Sequence, residues 1–279
     1  MKTISTLNDM RKHVVLNGKR LRIAVVRAND DATREALQQV EHEHLADIIY
    51  IEESEPEVAA TKAVYMVRNG EADVLMKGLI GTDQLLRAIL DKQKGLLPIG
   101  HVLTHLAVAE IPTYRKLLFF TDAAVIPYPT LEQRSEQVGY AATVCHKMGI
   151  DEPRIALIHC SEKTGKQFPF VNDYYIIKER AKEGEFGNCI VDGPLDVKTA
   201  CSLHALQAKG LESTLYGDAD VLVMPDIEAG NTFYKSMTLF AHTHTAGILC
   251  GASNPVVIPS RGDDAESKYN SILFALATL

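Results

Sequence analysis

Short apolar runs alternate with longer amphipathic ones along most of the chain. The apolar runs are rich in β-branched residues and read as buried strands: Leu21–Ala28, Asp47–Glu52, Asp73–Gly78, Arg154–Ser161, Cys189–Leu195, Ala219–Asp226, Ala246–Gly251 and Pro255–Pro259. The segments between them carry helical periodicity: 33–46, 56–70, 82–95, 130–149, 171–184, 197–210, 229–242 and 263–279. Asp31 is a plausible cap for the first of these helices, Gly70 closes the second, and Thr82 can cap the third, whose apolar face is Leu85, Leu86, Ile89 and Leu90. The stretch 101–122 differs, since HVLTHLAVAEI and RKLLFFTD are both strand-like with little helix between them; they could pair as an antiparallel extension.

Repeated β–α units with continuous apolar strands predict α/β architecture around a mostly parallel sheet covered on both faces. A length of 279 residues suggests two such domains, and the change of texture places the split near residue 125. Ligands of these sheets bind beyond the carboxyl ends of the strands, which singles out the loops after Gly78, Ser161, Asp192, Asp226 and Pro259.

Composition narrows the setting. A net charge of -7 with acids and bases intermixed does not favour a nucleic acid partner. The five cysteines include no C-x-x-C pair and their number is odd, as expected of reduced thiols in a cytoplasmic protein. No signal-peptide pattern and no membrane-spanning apolar run is present in the sequence.

Nucleotide-binding glycine motifs and the G-x-S-x-G elbow are absent. His242 and His244 lack a third metal ligand at suitable spacing and read as helix-end histidines, so no metal is expected. The C-terminal PVVIPSRGDDAESKYNS is richer. A strand leads into Ser260, Arg261 and Gly262, and then into a helix whose Asp263 and Glu266 have capping-box spacing. A hydroxyl and a guanidinium at a helix N-terminus suit an anion, although Arg261 could equally pair with Asp263 or Asp264. In MKGLIGTDQLLR, Gly78 allows close backbone approach, and Arg87 taken alone reads as a solvated charge. In MPDIEAGNTFYK, Asn231 and Lys235 follow a strand end, a pattern that by itself is ordinary turn-and-cap chemistry.

Together with FFTDAAVIPYPTLEQ, these segments resemble the phosphate acetyl/butyryl transferase family, in matching order and spacing from about Asp73 to the end. The short length and the HVLTH region look more like the butyryl branch. The resemblance implies two three-layer α/β domains with a cleft between them, similar to the isocitrate/isopropylmalate dehydrogenase architecture. It implies a first domain of residues 1–125 completed by 256–279, and a second of 126–255. The implied reaction exchanges CoA for phosphate on a short acyl group, with acyl-CoA, phosphate and acyl phosphate as partners. CoA is then a substrate rather than a tightly bound cofactor, and a homo-oligomer is expected. By analogy Ser260 and Arg261 lie at the catalytic centre, Arg87 is a second anion contact, and Thr104 falls where the family has a hydroxyl near the phosphate; Gly78, Asn231 and Lys235 join them as phosphate- or CoA-binding positions. The acetyl branch has an aspartate base where this chain has Ser267. Glu266 is the nearest replacement, in competition with its capping role. A phosphate acetyltransferase, a decarboxylating dehydrogenase and a non-catalytic ligand-binding member of the family are the alternatives.

Overall fold

The structure, a computed structural model, describes residues 3–163, 165–260 and 262–279. The chain divides into two compact units. One comprises Leu7–Leu103 and Thr245–Leu279; the other is Thr104–His244 together with the residues up to Thr6. The changeovers therefore fall before Thr104 and after His244, whereas the sequence texture places the first near 125 and the family resemblance implies the second near 255. Strand pairing explains the first difference, because the two strands within 104–121 pair with each other and then with a strand at 221–223 of their own unit.

In the first unit, α1 (Leu7–Asn17) precedes β1 (Leu21–Val26), α2 (Asp31–His42), β2 (Ala46–Ile51), α3 (Pro56–Arg68), β3 (Val74–Lys77) and α4 (Thr82–Ile89). The second unit follows with β4 (Thr104–Glu110), β5 (Leu118–Thr121), α5 (Leu131–Lys147), β6 (Arg154–Ile158), α6 (Val171–Lys182), β7 (Ile190–Leu195), α7 (Val197–Cys201), α8 (Leu203–Ala208), β8 (Val221–Val223) and α9 (Ile227–Phe240). The chain then returns to the first unit through β9 (His244–Cys250), β10 (Val256–Val257) and α10 (Ala265–Ala277).

In the first unit the strand order is β2-β1-β3-β10-β9, with β9 antiparallel to β10 and the other pairings parallel. In the second it is β4-β5-β8-β6-β7, with only the β4–β5 pairing antiparallel. The expected antiparallel hairpin of 101–122 is thus present. The inner strands β3, β10, β5 and β8 are buried at every residue, and β1 and β6 at all but their first one or two, as the continuous apolar runs require.

Several boundaries differ from the periodicity, each for a local reason. Asp30 rather than Asp31 caps α2, its carboxylate accepting the Thr33 N–H at 2.9 Å. Gly81 rather than Thr82 is the cap of α4, its N–H donating to Gln84 Oε1 at 3.2 Å. That helix stops at Ile89 instead of reaching Gly95, because the Asp91 carboxylate takes the N–H groups of Gln93 and Lys94, at 2.8 and 2.7 Å, into a turn. The predicted helix 197–210 is split at Ser202, whose hydroxyl caps α8 through the Ala205 N–H at 3.2 Å.

The first unit is locked by a buried ammonium. α10 is buried at every residue from Lys268 to Ala277 and packs against α2 and α1. Lys268 is 4% exposed, and its Nζ donates to Asp30 Oδ1 at 2.6 Å and Thr33 Oγ1 at 3.0 Å. A second tie joins the Tyr269 hydroxyl and Arg11 Nε to Glu43 Oε2, each at 2.7 Å. Burial opposes ionisation of Asp30, but the hydrogen bonds from Lys268 and Thr33 outweigh it and hold the carboxyl below its ordinary value. A depressed acid stabilises the fold fully above its unfolded pKa, about 3.9, and loses that contribution as pH falls through the lower folded value. Asp30→Asn is therefore expected to be less stable than the wild type at neutral pH, with the gap closing as pH falls below about 4. Urea midpoints measured across pH 2–7 check this; a gap independent of pH would show that the pair is not the source.

Candidate functional site

In the first unit, three loops meet at the carboxyl ends of the strands. The loop after β3 leans on the one after β1, where Gly78 N–H donates to Val26 O at 2.9 Å and Leu79 N–H to Arg27 O. Gly78 is needed there for packing, since a Cβ would run into the carbonyl oxygens of Arg27 and Val26. Lys77, 4% exposed, donates through Nζ to Gly78 O at 3.2 Å and lies 3.5 Å from the carbonyl oxygen of Pro259, in the loop after β10. Lys77 and Lys268 thus fasten the loop that carries Ser260 to its two neighbours.

That loop is built by carboxylates. Asp263 Oδ2 accepts the Ser260 N–H at 2.8 Å, and the Ser260 hydroxyl accepts the Gly262 N–H at 3.4 Å. The cap of α10 is Asp264, through the Ser267 N–H at 2.8 Å, and not Asp263. The shift of one residue moves Glu266 out of the capping-box position into the exposed first turn of the helix. Ser260 is likewise exposed, in the loop four residues before the Asp264 cap of α10, a helix whose N-terminal dipole favours an anion. Arg261 lies outside the described residues. Arg87 is on the solvated side of α4, its side chain 73% exposed and its guanidinium 3.4 Å from Asp83.

In the second unit the polar centre is Asp122, at the carboxyl end of β5 and 2% exposed. Oδ1 accepts the N–H groups of Ala124 and Val125, at 2.7 and 2.9 Å, and Oδ2 accepts those of His105 and Ile126. The Thr104 hydroxyl donates to Oδ2 at 2.7 Å and accepts from Gln137 Nε2 at 3.3 Å. Thr104 is therefore buried, at 1% exposure, as a partner of Asp122. Across the same loop, Asn231 Nδ2 donates to the Ala123 carbonyl oxygen at 3.0 Å. Gly230 lets α9 approach, because a Cβ there would collide with the Asp122 carbonyl oxygen. Asp226 caps α9 through the Ala229 N–H at 2.8 Å, and Lys235 extends from its exposed face over the Tyr234 ring.

Most of the predicted residues fall into two groups. Gly78 and Ser260 lie on joined loops of one unit, with Glu266 in the first turn of α10, and Thr104 on β4 and Asn231 on α9 both bond to the Asp122 loop of the other. Arg87 and Lys235 stand on exposed helix faces. Lys77, Lys268 and Asp122 join the site without having been among the residues expected from the sequence. The signal was available in part: a lysine closing an otherwise apolar strand, as in VLMK, or inside an apolar helix, as in SKYNSILFALA, is out of pattern and needs a buried partner. Among the described residues no group of three or more His, Cys, Asp or Glu side chains is placed to hold a metal, and no helix is long and apolar enough to cross a membrane.

Comparison with known proteins bears on this arrangement. The phosphate butyryltransferase of Clostridium acetobutylicum is 35% identical over 277 aligned positions, which cover 91% of this chain and 92% of that protein. The phosphate acetyltransferase of Thermotoga maritima is 32% identical, covering 91% of this chain and 94% of its own. The crystal structure of a branched-chain phosphotransacylase from Enterococcus faecalis V583 superposes with a TM-score of 0.82 at 29% identity, over 92% of this chain and 98% of that one. The sequence profile described as phosphate acetyl/butaryl transferase matches residues 55–276, which take in the loops after β3, β5, β8 and β10, and the chain belongs to that family.

Proposed function

We propose that this protein is a phosphate acyltransferase that converts butyryl-CoA, or another short or branched acyl-CoA, and phosphate into acyl phosphate and CoA. The observation that carries this reading is the loop Ser260–Asp264, held by its own carboxylates at the start of α10 within a chain of the phosphate acetyl/butaryl transferase family. Both substrates bind together and the acyl group passes directly between them. Starting from acyl phosphate, a base removes the CoA thiol proton, the thiolate sulfur attacks the carbonyl carbon, and the carbon–oxygen bond to phosphate breaks as phosphate leaves. In the other direction a phosphate oxygen attacks the thioester and CoA leaves as the thiolate. Alignment of the two reactants supplies much of the rate.

Arg261 and Ser260 stabilise the developing oxyanion and the phosphate charge. Glu266 is the base, a role supported by its release from the cap of α10. Gly78, Arg87, Asn231 and Lys235 serve phosphate and CoA. Thr104 acts from beneath, by holding the Asp122 loop on which Asn231 rests. CoA is a substrate, and no tightly bound cofactor takes part. The five free cysteines suit a reducing cytoplasm. Leu239 and Phe240, exposed at the end of α9, suit a homo-oligomer.

Release of CoA thiol from a panel of acyl-CoAs in the presence of phosphate tests the reading: butyryl- or isobutyryl-CoA should exceed acetyl-CoA in kcat/KM. A strong preference for acetyl-CoA would make the enzyme an acetyltransferase, and no turnover of any acyl-CoA would leave a ligand-binding member of the family. Arg261→Ala should lower kcat by about 100- to 1000-fold and raise the phosphate requirement; unchanged kinetics would remove the assigned centre. Glu266→Gln should lower kcat by about 100-fold or more. Near-normal turnover with a lowered melting temperature would instead make Glu266 a structural residue.

A further inference from the structure

Arg134 on α5 is buried to 1% exposure, among the largest fully buried side chains of the protein. Nη1 donates to the carbonyl oxygens of Met224 and Pro225 at 3.1 and 3.3 Å, and Nη2 to those of Pro225 and Pro129 at 3.2 and 3.3 Å. The rings of Phe170 and Tyr174 close over the guanidinium, with centroids 5.5 and 5.3 Å from its central carbon. Nε is buried without a partner, and among the described residues every hydrogen bond of the guanidinium goes to a backbone carbonyl. The guanidinium makes no direct ion pair among the described residues, although the Asp173 and Asp226 carboxylates favour its charge from a distance; burial opposes that charge, and a neutral amide could satisfy carbonyls with a smaller desolvation penalty. What a neutral side chain cannot do is hold three carbonyls from two segments with one rigid fork.

Those segments are the ones on which α9 depends. Met224 and Pro225 end the strand–turn segment whose next residue, Asp226, caps α9, and Pro129 ends the loop that begins at Asp122. Gly230 and Asn231 seat α9 on that same loop. We propose that Arg134 is a positioning residue: its guanidinium clamps the turn after β8 to the loop after β5, and so fixes where α9 presents Asn231 and Lys235 to the anionic substrates. The inference rests on the assignment of those two residues made under the proposed function.

The test compares wild type, Arg134→Lys and Arg134→Gln in two readouts: hydrogen exchange of the segment 224–235, and kcat and KM for acyl-CoA and phosphate at a temperature where each variant is folded. The expected result is faster exchange confined to 224–235, a fall in kcat of about 10- to 100-fold with a rise in KM for acyl-CoA, and partial recovery in the lysine variant relative to glutamine. Unchanged kinetics with only a lowered melting temperature, or protection lost evenly across the second unit, would overturn the proposal. If the wild type turns over no acyl-CoA, the functional reading fails on its own; the exchange pattern still decides whether Arg134 positions α9. Should the glutamine variant fail to fold, the lysine variant carries the same comparison, since it keeps the charge but loses the fork.

Discussion

The ion pair between Lys268 and Asp30 is the contact on which the first unit's ligand-side surface depends. Asp30 ends the loop after β1 and caps α2; Lys268 belongs to the last helix of the chain. Their union makes residues 238 positions apart share one local geometry. A buried ammonium tolerates little displacement of its acceptors, because each lost hydrogen bond leaves a charge in a medium that solvates it poorly. The position of α10, and with it the Ser260–Asp264 loop, is therefore set by electrostatics as much as by apolar packing. Lys77 extends the same constraint to the loop after β3.

The second unit solves the equivalent problem with a carboxylate. Asp122 gathers four backbone N–H groups and the Thr104 hydroxyl, so one side chain fixes both the end of β5 and the start of β4. The family resemblance places a hydroxyl near the phosphate at Thr104. Its burial against Asp122 makes that hydroxyl a support for the loop that Asn231 and Gly230 touch, and moves the polar surface of this unit to the backbone and to α9.

Much of this was legible in the sequence. The alternation of apolar and amphipathic runs located nearly every strand and helix, because buried parallel strands and one-faced helices leave different periods. The strand–turn–helix at Ser260 was visible from residue types alone. The failures have a common physical source. Asp30, Gly81, Ser202 and Asp264 each displaced a predicted boundary, since caps are decided by which side chain or backbone reaches an N–H, and adjacent polar residues compete for it. The changeover at Thr104 was hidden because it turns on which strands pair, a non-local property. Lys77 and Lys268 were passed over because a lone cation in an apolar run announces a buried partner without naming it, and Arg134 because it stands in the polar stretch LEQRSEQ, where nothing marks it as buried.

The return of the chain to its first unit has a temporal side. β10 sits between β3 and β9, yet residues 245–279 follow the whole of the intervening unit. During synthesis the three strands β2, β1 and β3 emerge early, and β3 must wait with one edge unpaired until more than a hundred later residues have been made. The second unit's strands, by contrast, are contiguous in the chain and can close as soon as β8 appears. The first unit's sheet is therefore completed only after the second unit's strands have been made, by the same returning segment that carries Lys268.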